Sequence, residues 1–177
     1  MMMKECFLIR PCSEYAEEIA QYRQEFLAAG SSMDGTGPLR KTEDPHAYIK
    51  ACEKSEKGEN LPSSYVPATQ FLFIRRADNR LVGMLQVRHY LNEHLLRFGG
   101  HIGYSVRPSE RRRGYAKAML QAALPFCREM GIKKVLITCD ENNPASEKTI
   151  LANGGKYEST AYEPDEKINL KRFWIEL

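Results

Sequence analysis

Apolar and polar positions along this chain change their period repeatedly, and each change marks an element. Glu5 to Arg10 predicts a short strand ended by Pro11. Tyr15, Ile19, Tyr22, Phe26 and Leu27 then recur at helical spacing, with Ser13 and Glu17 as a capped start and Gly30 as the stop. The glycine-rich stretch Ser31 to Lys41 predicts a loop, and Asp44-Pro45 predicts the N-cap and first-turn proline of a second helix through Tyr48, Ile49 and Cys52. Glu53 to Pro67 is polar and broken by Gly58, Pro62 and Pro67. Gln70 to Arg75 and Arg80 to Tyr90 form a hairpin about Ala77-Asp78-Asn79, with Gly83 as a bulge position.

Leu91 to Arg97 predicts a loop or single helical turn, and Phe98 to Val106 a strand in which Ile102, Tyr104 and Val106 alternate with His101, Gly103 and Ser105. Beyond Pro108 and Ser109, the residues Ala116, Met119, Leu120, Ala123, Leu124 and Cys127 give an apolar helical stripe that Gly131 closes, with a kink expected at Pro125. A strand over Lys133 to Thr138, a helix over Pro144 to Ala152 and a hairpin of Lys156 to Tyr162 with Ile168 to Glu176 complete the order, Trp174 lying in the core or on a sheet face. The pattern is α/β: one domain over residues 1–177, with a mixed central β-sheet flanked by helices. The sheet is antiparallel in its first half, with a parallel crossover through the helix that follows Arg113.

Composition narrows the function classes. The 177 residues are 42% hydrophobic and 28% charged, as in water-soluble globular proteins, and the net charge of +3 is too small for a general polyanion binder. Five cysteines without a C-x-x-C pair argue for a reducing cytoplasm. The first ten residues have no apolar run of leader length, and no stretch nears the ~20 apolar residues that cross a bilayer. His46, His89, His94 and His101 show no metal-ligand spacing, so no metal is expected.

Basicity is concentrated in Arg111-Arg112-Arg113-Gly114-Tyr115-Ala116-Lys117, between a strand and a helix. The first N–H groups of a helix have no partner inside it, and the macrodipole places about half a positive charge there. Gly114 admits an anion close to the backbone, Ala116 keeps the next position small, and the guanidinium groups add forked donors. The spacing fits a diphosphate but neither G-x-x-x-x-G-K-[ST] nor G-x-G-x-x-G. Read blandly, the same run is a solvated helix start or a nucleic-acid patch.

Arg111-x-x-Gly114-x-Ala116, with a strand before it and Asn142-Asn143-Pro144-Ala145-Ser146 opening the next helix but one strand later, resembles the R/Q-x-x-G-x-G/A signature of the GNAT superfamily of acyl-CoA-dependent N-acetyltransferases. The resemblance runs from about Gly99 to Gly155 and implies a GNAT-like fold, acetyl-CoA as co-substrate and an amine acceptor, small molecule or peptide, in a monomer or homodimer. It implies that the diphosphate sits on Arg111 to Lys117 and that the pantetheine arm pairs with Tyr104, Ser105 and Val106, the Val106 N–H facing the thioester oxygen. Asn143 and Ser146 would border the arm. An alkyl amine of pKa near 10.4 is neutral in only about one molecule in a few thousand at pH 7, so a base is wanted, with His101 the first candidate and Glu93 or His94 next. Asp34, Glu43 and Asp44 are candidates to attract the amine. Where many relatives carry a tyrosine acid, this chain has Ile150, leaving Tyr104, Tyr115, Tyr157 or Tyr162 to stand in. The expected activity is direct acetyl transfer in a ternary complex; a non-catalytic acyl-CoA-binding or sensing domain and a nucleic-acid-binding protein are the alternatives.

Overall fold

The computed structural model describes residues 5–177; Met1 to Lys4, part of the stretch read for a leader, lie outside the described residues. Strand β1 (Cys6–Ile9) leads through a tight turn at Ser13–Tyr15 into α1 (Ala16–Ala28), and α2 (Pro45–Lys57) follows the glycine-rich loop. Then come β2 (Ala68–Arg75), β3 (Arg80–Arg88), β4 (Ile102–Val106), α3 (Tyr115–Glu129), β5 (Lys134–Asp140), α4 (Pro144–Ala152), β6 (Lys156–Glu163) and β7 (Ile168–Glu176). The first four strands form an antiparallel sheet in the order β1-β2-β3-β4, and the last three a second one in the order β5-β7-β6.

The two-residue period of a strand explains why β2 is buried along nearly its whole length. Phe71 and Phe73 pack on the face covered by α3 through Met119, Leu120 and Ala123, while Leu72 and Ile74 pack on the other face against Ile19, Tyr22 and Phe26 of α1 and Tyr48 of α2. The α3 core continues without a break into the second sheet through Val135, Ile137, Cys139 and Phe173. The predicted α/β arrangement is the observed one. Asp44 caps α2 by accepting from the His46 N–H at 3.0 Å, Gly58 closes it in the left-handed conformation, and the extra residue Val82 makes the bulge beside Gly83.

Three boundaries differ from the expectation. Ser13 makes no capping bond, and α1 grows out of the preceding turn instead. The second helix runs on to Lys57, its polar last turn facing water. The strand expected from Phe98 starts only at Ile102, because Gly100 turns at φ 66° with its Cα against β5; a β-carbon there would lie 2.6 Å from the Leu136 carbonyl oxygen. That approach also changes the crossover. All ladders among the described residues are antiparallel, and in place of a parallel ladder β4 and β5 are bracketed at His101, whose N–H donates to the Leu136 carbonyl at 2.7 Å. Beyond His101 the two sheets separate.

Candidate active site

The basic turn is anchored from below by Arg107. Its side chain is 3% exposed and donates to Glu25 at 2.7 Å, Glu18 at 2.9 Å and the Leu81 carbonyl at 3.1 Å, while Glu25 also accepts the Ser109 N–H at 2.6 Å. This pins the turn to α1. Arg112 at φ 65° and Gly114 at φ 82° then take left-handed conformations around Arg113, curling the chain into α3. Such a conformation is strained for arginine, and alternation of this kind points successive N–H groups into one concavity. Among the described residues no acceptor is bonded to the N–H groups of residues 112–117.

The guanidinium groups are not equivalent. Arg111 donates to the Val106 carbonyl at 3.2 Å and to Ser31 at 2.7 Å and stacks over Phe26. Arg113 reaches Glu110 at 3.2 Å, a buried carboxylate that also pairs with Arg75 at 2.8 Å and Arg80 at 3.2 Å. Arg112 and Lys117 are exposed and make no side-chain bond among the described residues. Tyr115 is turned inward, its hydroxyl accepting from Arg75 at 2.9 Å, so only its backbone faces the concavity.

The register of β4 determines what its outer edge offers. Arg107 N–H donates to the Val82 carbonyl and Arg88 N–H to the His101 carbonyl, so Ile102, Tyr104 and Val106 occupy non-hydrogen-bonded positions opposite β3. Their N–H and C=O groups therefore point away from β3, into the gap between the sheets. Tyr104 crosses this gap and its hydroxyl lies 2.7 Å from that of Ser146; burial raises its pKa above that of an ordinary tyrosine. Ser146 stands in the first turn of α4, where its N–H donates to the Asn143 side chain at 3.1 Å, making Asn143 the cap. The turn, the β4 edge and the start of α4 thus border one gap. Ser105 faces the opposite side, against the Tyr22 hydroxyl at 3.0 Å, and Ile150 is fully buried in the core. Burial pushes the Cys139 thiol up to about 11.

The three expected bases take different settings. His101 Nδ1 accepts the Leu136 N–H at 2.9 Å, and burial, then the charge of Arg88, lowers its pKa to about 4. It fastens the two sheets together. Glu93 is exposed and makes no side-chain bond among the described residues; His94 packs edge-on against Phe98 at a cleft.

That cleft, of about 990 Å³, opens on the α1–α2 side of the first sheet, where Gln86 and Arg88 continue the row begun by Met84. Its loop wall touches β4 at Gly35, where a β-carbon would lie 2.1 Å from the Gly103 carbonyl oxygen. Of the three acidic residues expected near the amine, only Asp34 lines the cleft; Asp44 is the α2 cap, and Glu43 is exposed outside it. Arg88 and Arg107 were not singled out from the sequence. Both follow an ordinary strand pattern, and only the fold shows that one lies in the cleft and the other under the turn.

No curated protein matches by sequence. Among solved structures the chain resembles the acetyltransferase of Salmonella typhimurium that modifies the N-terminal serine of the 50S ribosomal subunit protein L7/L12, with a TM-score of 0.71 and 15% identity over 98% of this chain and 95% of that one. It resembles the ribosomal-protein-S5-alanine acetyltransferase of Vibrio fischeri at a TM-score of 0.68, 14% identical over 97% and 91% of the two chains. The microcin C7 self-immunity acetyltransferase MccE, solved with acetyl-CoA and AMP, gives 0.71 and 16% over 98% and 93%. These likenesses establish the shared fold. The acetyltransferase (GNAT) domain matches residues 7–156, most of the chain and all of the gap's borders, so this protein belongs to the GNAT family and is an acetyl-CoA-dependent acetyltransferase.

Proposed function

We propose that this enzyme acetylates the α-amine of a peptide or protein N-terminus by direct attack in a ternary complex. The observation that carries this reading is the outward-facing edge of β4, which ends in a turn of unbonded N–H groups on one side of the strand while the cleft opens on the other. The N–H groups of residues 112–117, with Arg112, would hold the diphosphate, and the edge of Tyr104 and Val106 would bond the pantetheine arm. Acetyl-CoA supplies an activated acetyl thioester. The Val106 N–H would stabilise developing negative charge on a carbonyl oxygen, and the Tyr104–Ser146 hydroxyl pair would deliver a proton to the thiolate, which at an ordinary pKa of about 8.5 needs little help.

Among the described residues no histidine or carboxylate is bonded to the Tyr104–Ser146 pair, which favours an α-amine. With His101 accepting a backbone N–H and His94 and Asp34 at the cleft instead, an acceptor that loses its proton readily is favoured. An α-amine of pKa near 7.8 is neutral in about one molecule in seven at pH 7, against about one in a few thousand for a lysine. The N-terminal serine named as the substrate of the Salmonella typhimurium acetyltransferase agrees with this.

The test is calorimetric titration of acetyl-CoA into wild type and Ala116→Glu, followed by thiol release with peptides bearing only an α-amine or only a lysine amine. A glutamate in the first turn suits the helix dipole, so the variant folds while its carboxylate opposes the diphosphate. Binding by wild type alone, and release with the α-amine peptide, is expected. Equal affinity in the variant would remove the turn from the coenzyme site; release without any amine would indicate a hydrolase; tight binding without release would favour the sensing alternative.

A further inference from the structure

The cleft carries a charge arrangement that amine acetylation alone does not require. Its cationic lining residues are Arg40, Lys41, Lys54 and Arg88, against the carboxylates Asp34 and Glu59, and none of the six is in an ion pair among the described residues. A site built only for an ammonium group would have the opposite balance.

Arg88 is the inner member of this group. Its Nη1 donates to the carbonyls of Gly99 and Gly100, each at 3.0 Å, which fixes the guanidinium plane. Nε and Nη2 have no partner among the described residues and are not sealed from solvent. Burial lowers the Arg88 pKa, with Asp34 as the opposing charge, so the protein carries a partly desolvated guanidinium that lacks a bonded anion. The free Nη2 lies 3.8 Å from where a β-carbon of Gly103 would stand. From Gly103 to the edge positions Tyr104 and Val106 is one to three strand residues, roughly 3 to 10 Å. That matches the reach from an N-terminal amine to an acidic group on the first or second residue of an extended peptide.

We propose that the acceptor carries an oxyanion, a carboxylate or a phosphate, on its first or second residue, and that the free edge of the Arg88 guanidinium binds it. The planar fork of arginine suits both groups, and Asp34 at the same cleft attracts the ammonium before it loses its proton. This rests on the reading of the enzyme as an α-amine acetyltransferase and adds the class of acceptor.

The experiment compares kcat/KM for thiol release with four lysine-free tetrapeptide amides: Glu-Ala-Ala-Ala against Gln-Ala-Ala-Ala, and phosphoserine-Ala-Ala-Ala against Ser-Ala-Ala-Ala, together with the pair carrying Glu or Gln second. The acidic member of at least one pair should lead by about 10- to 100-fold, the range of charge-assisted hydrogen bonds. The pair that shows the lead identifies the anion as carboxylate or phosphate. Arg88→Gln should bring that ratio toward one, and Arg88→Lys, which keeps charge but loses the fork, should leave it between the two. Equal rates within every pair in wild type, or a preference that persists in Arg88→Gln, would overturn the proposal. Should no peptide release thiol, the transfer reading fails, and calorimetry of the same peptides on the CoA-loaded protein decides the matter for Arg88 alone. Tighter binding of the acidic member supports it, and equal binding refutes it.

Discussion

Replacing Arg107 tests how far the basic turn depends on a buried ionic anchor. Arg107→Met retains much of the apolar stem but removes donors to Glu25 at 2.7 Å, Glu18 at 2.9 Å and the Leu81 carbonyl at 3.1 Å. Removing one partner of a buried ion pair costs about 3 to 5 kcal/mol, because the other charge is left without compensation. Here the stranded carboxylates keep side-chain exposures of 23% and 26%, so water relieves part of the penalty and the low end, about 3 kcal/mol, applies. For a chain of this length that lowers Tm by about 6 to 12 °C. Urea unfolding followed by circular dichroism measures the loss directly, with an unchanged m-value confirming a stability effect. Glu25→Gln added to Arg107→Met should recover about 1 kcal/mol by removing one stranded charge. The pH dependence gives a second check. Burial tends to raise the Glu25 pKa, but the bonds from Ser109 and Arg107 outweigh it and hold it below the ordinary 4.5. A lowered carboxylate pKa stabilises the fold fully above 4.5, and that contribution fades as pH falls through the lowered value. The difference between wild type and variant should therefore shrink below about pH 4.5. A loss under about 1 kcal/mol at pH 7, or a difference that grows in acid, would refute this account of the anchor.

Two further outcomes are expected. His101, with its pKa lowered from 6.5 to about 4, favours folding while neutral, so its contribution is complete above pH 6.5 and declines from there toward pH 4. Unfolding free energy should fall over that window in wild type and less steeply in His101→Gln, while the imidazole NMR shifts of His101 stay those of the neutral ring at pH 6; a charged ring at that pH would contradict the bracket. If the two hydroxyls serve one proton path, Tyr104→Phe should lower kcat by about 10- to 100-fold with little change in KM for acetyl-CoA, and adding Ser146→Ala should cost little more; fully additive losses would mean that they act separately.

The run from β4 to α4 was legible because its local signals agree. The alternation at Ile102, Tyr104 and Val106, the glycine at 114, the apolar stripe of α3 and the Asn143 cap all point the same way. The separation of the sheets was hidden, because it turns on Gly100 lying against Leu136, a contact between residues far apart in the chain that leaves no period in the sequence. The role of His101 was hidden for the same reason: a histidine next to a strand looks equally suited to catalysis and to accepting a backbone N–H. The arginine run showed its charge but not its allocation, since the partner that holds Arg113, Glu110, is itself buried only when Arg75 and Arg80 converge on it from the first hairpin.

That allocation decides when entropy is lost. A free arginine side chain carries about 2 kcal/mol of rotamer freedom, and a flexible run of three would surrender most of it on meeting an anion. Arg111 is already confined by Val106, Ser31 and Phe26, and Arg113 by Glu110, so their ordering is completed when the chain folds. Of the three, Arg112 is the one without a side-chain bond among the described residues, so a bound anion would have only it and Lys117 to immobilise, and the positive field around the turn is in place before any encounter. An anion bound there would associate fast with a modest entropic penalty, its rate of arrival falling more steeply with salt than its rate of escape.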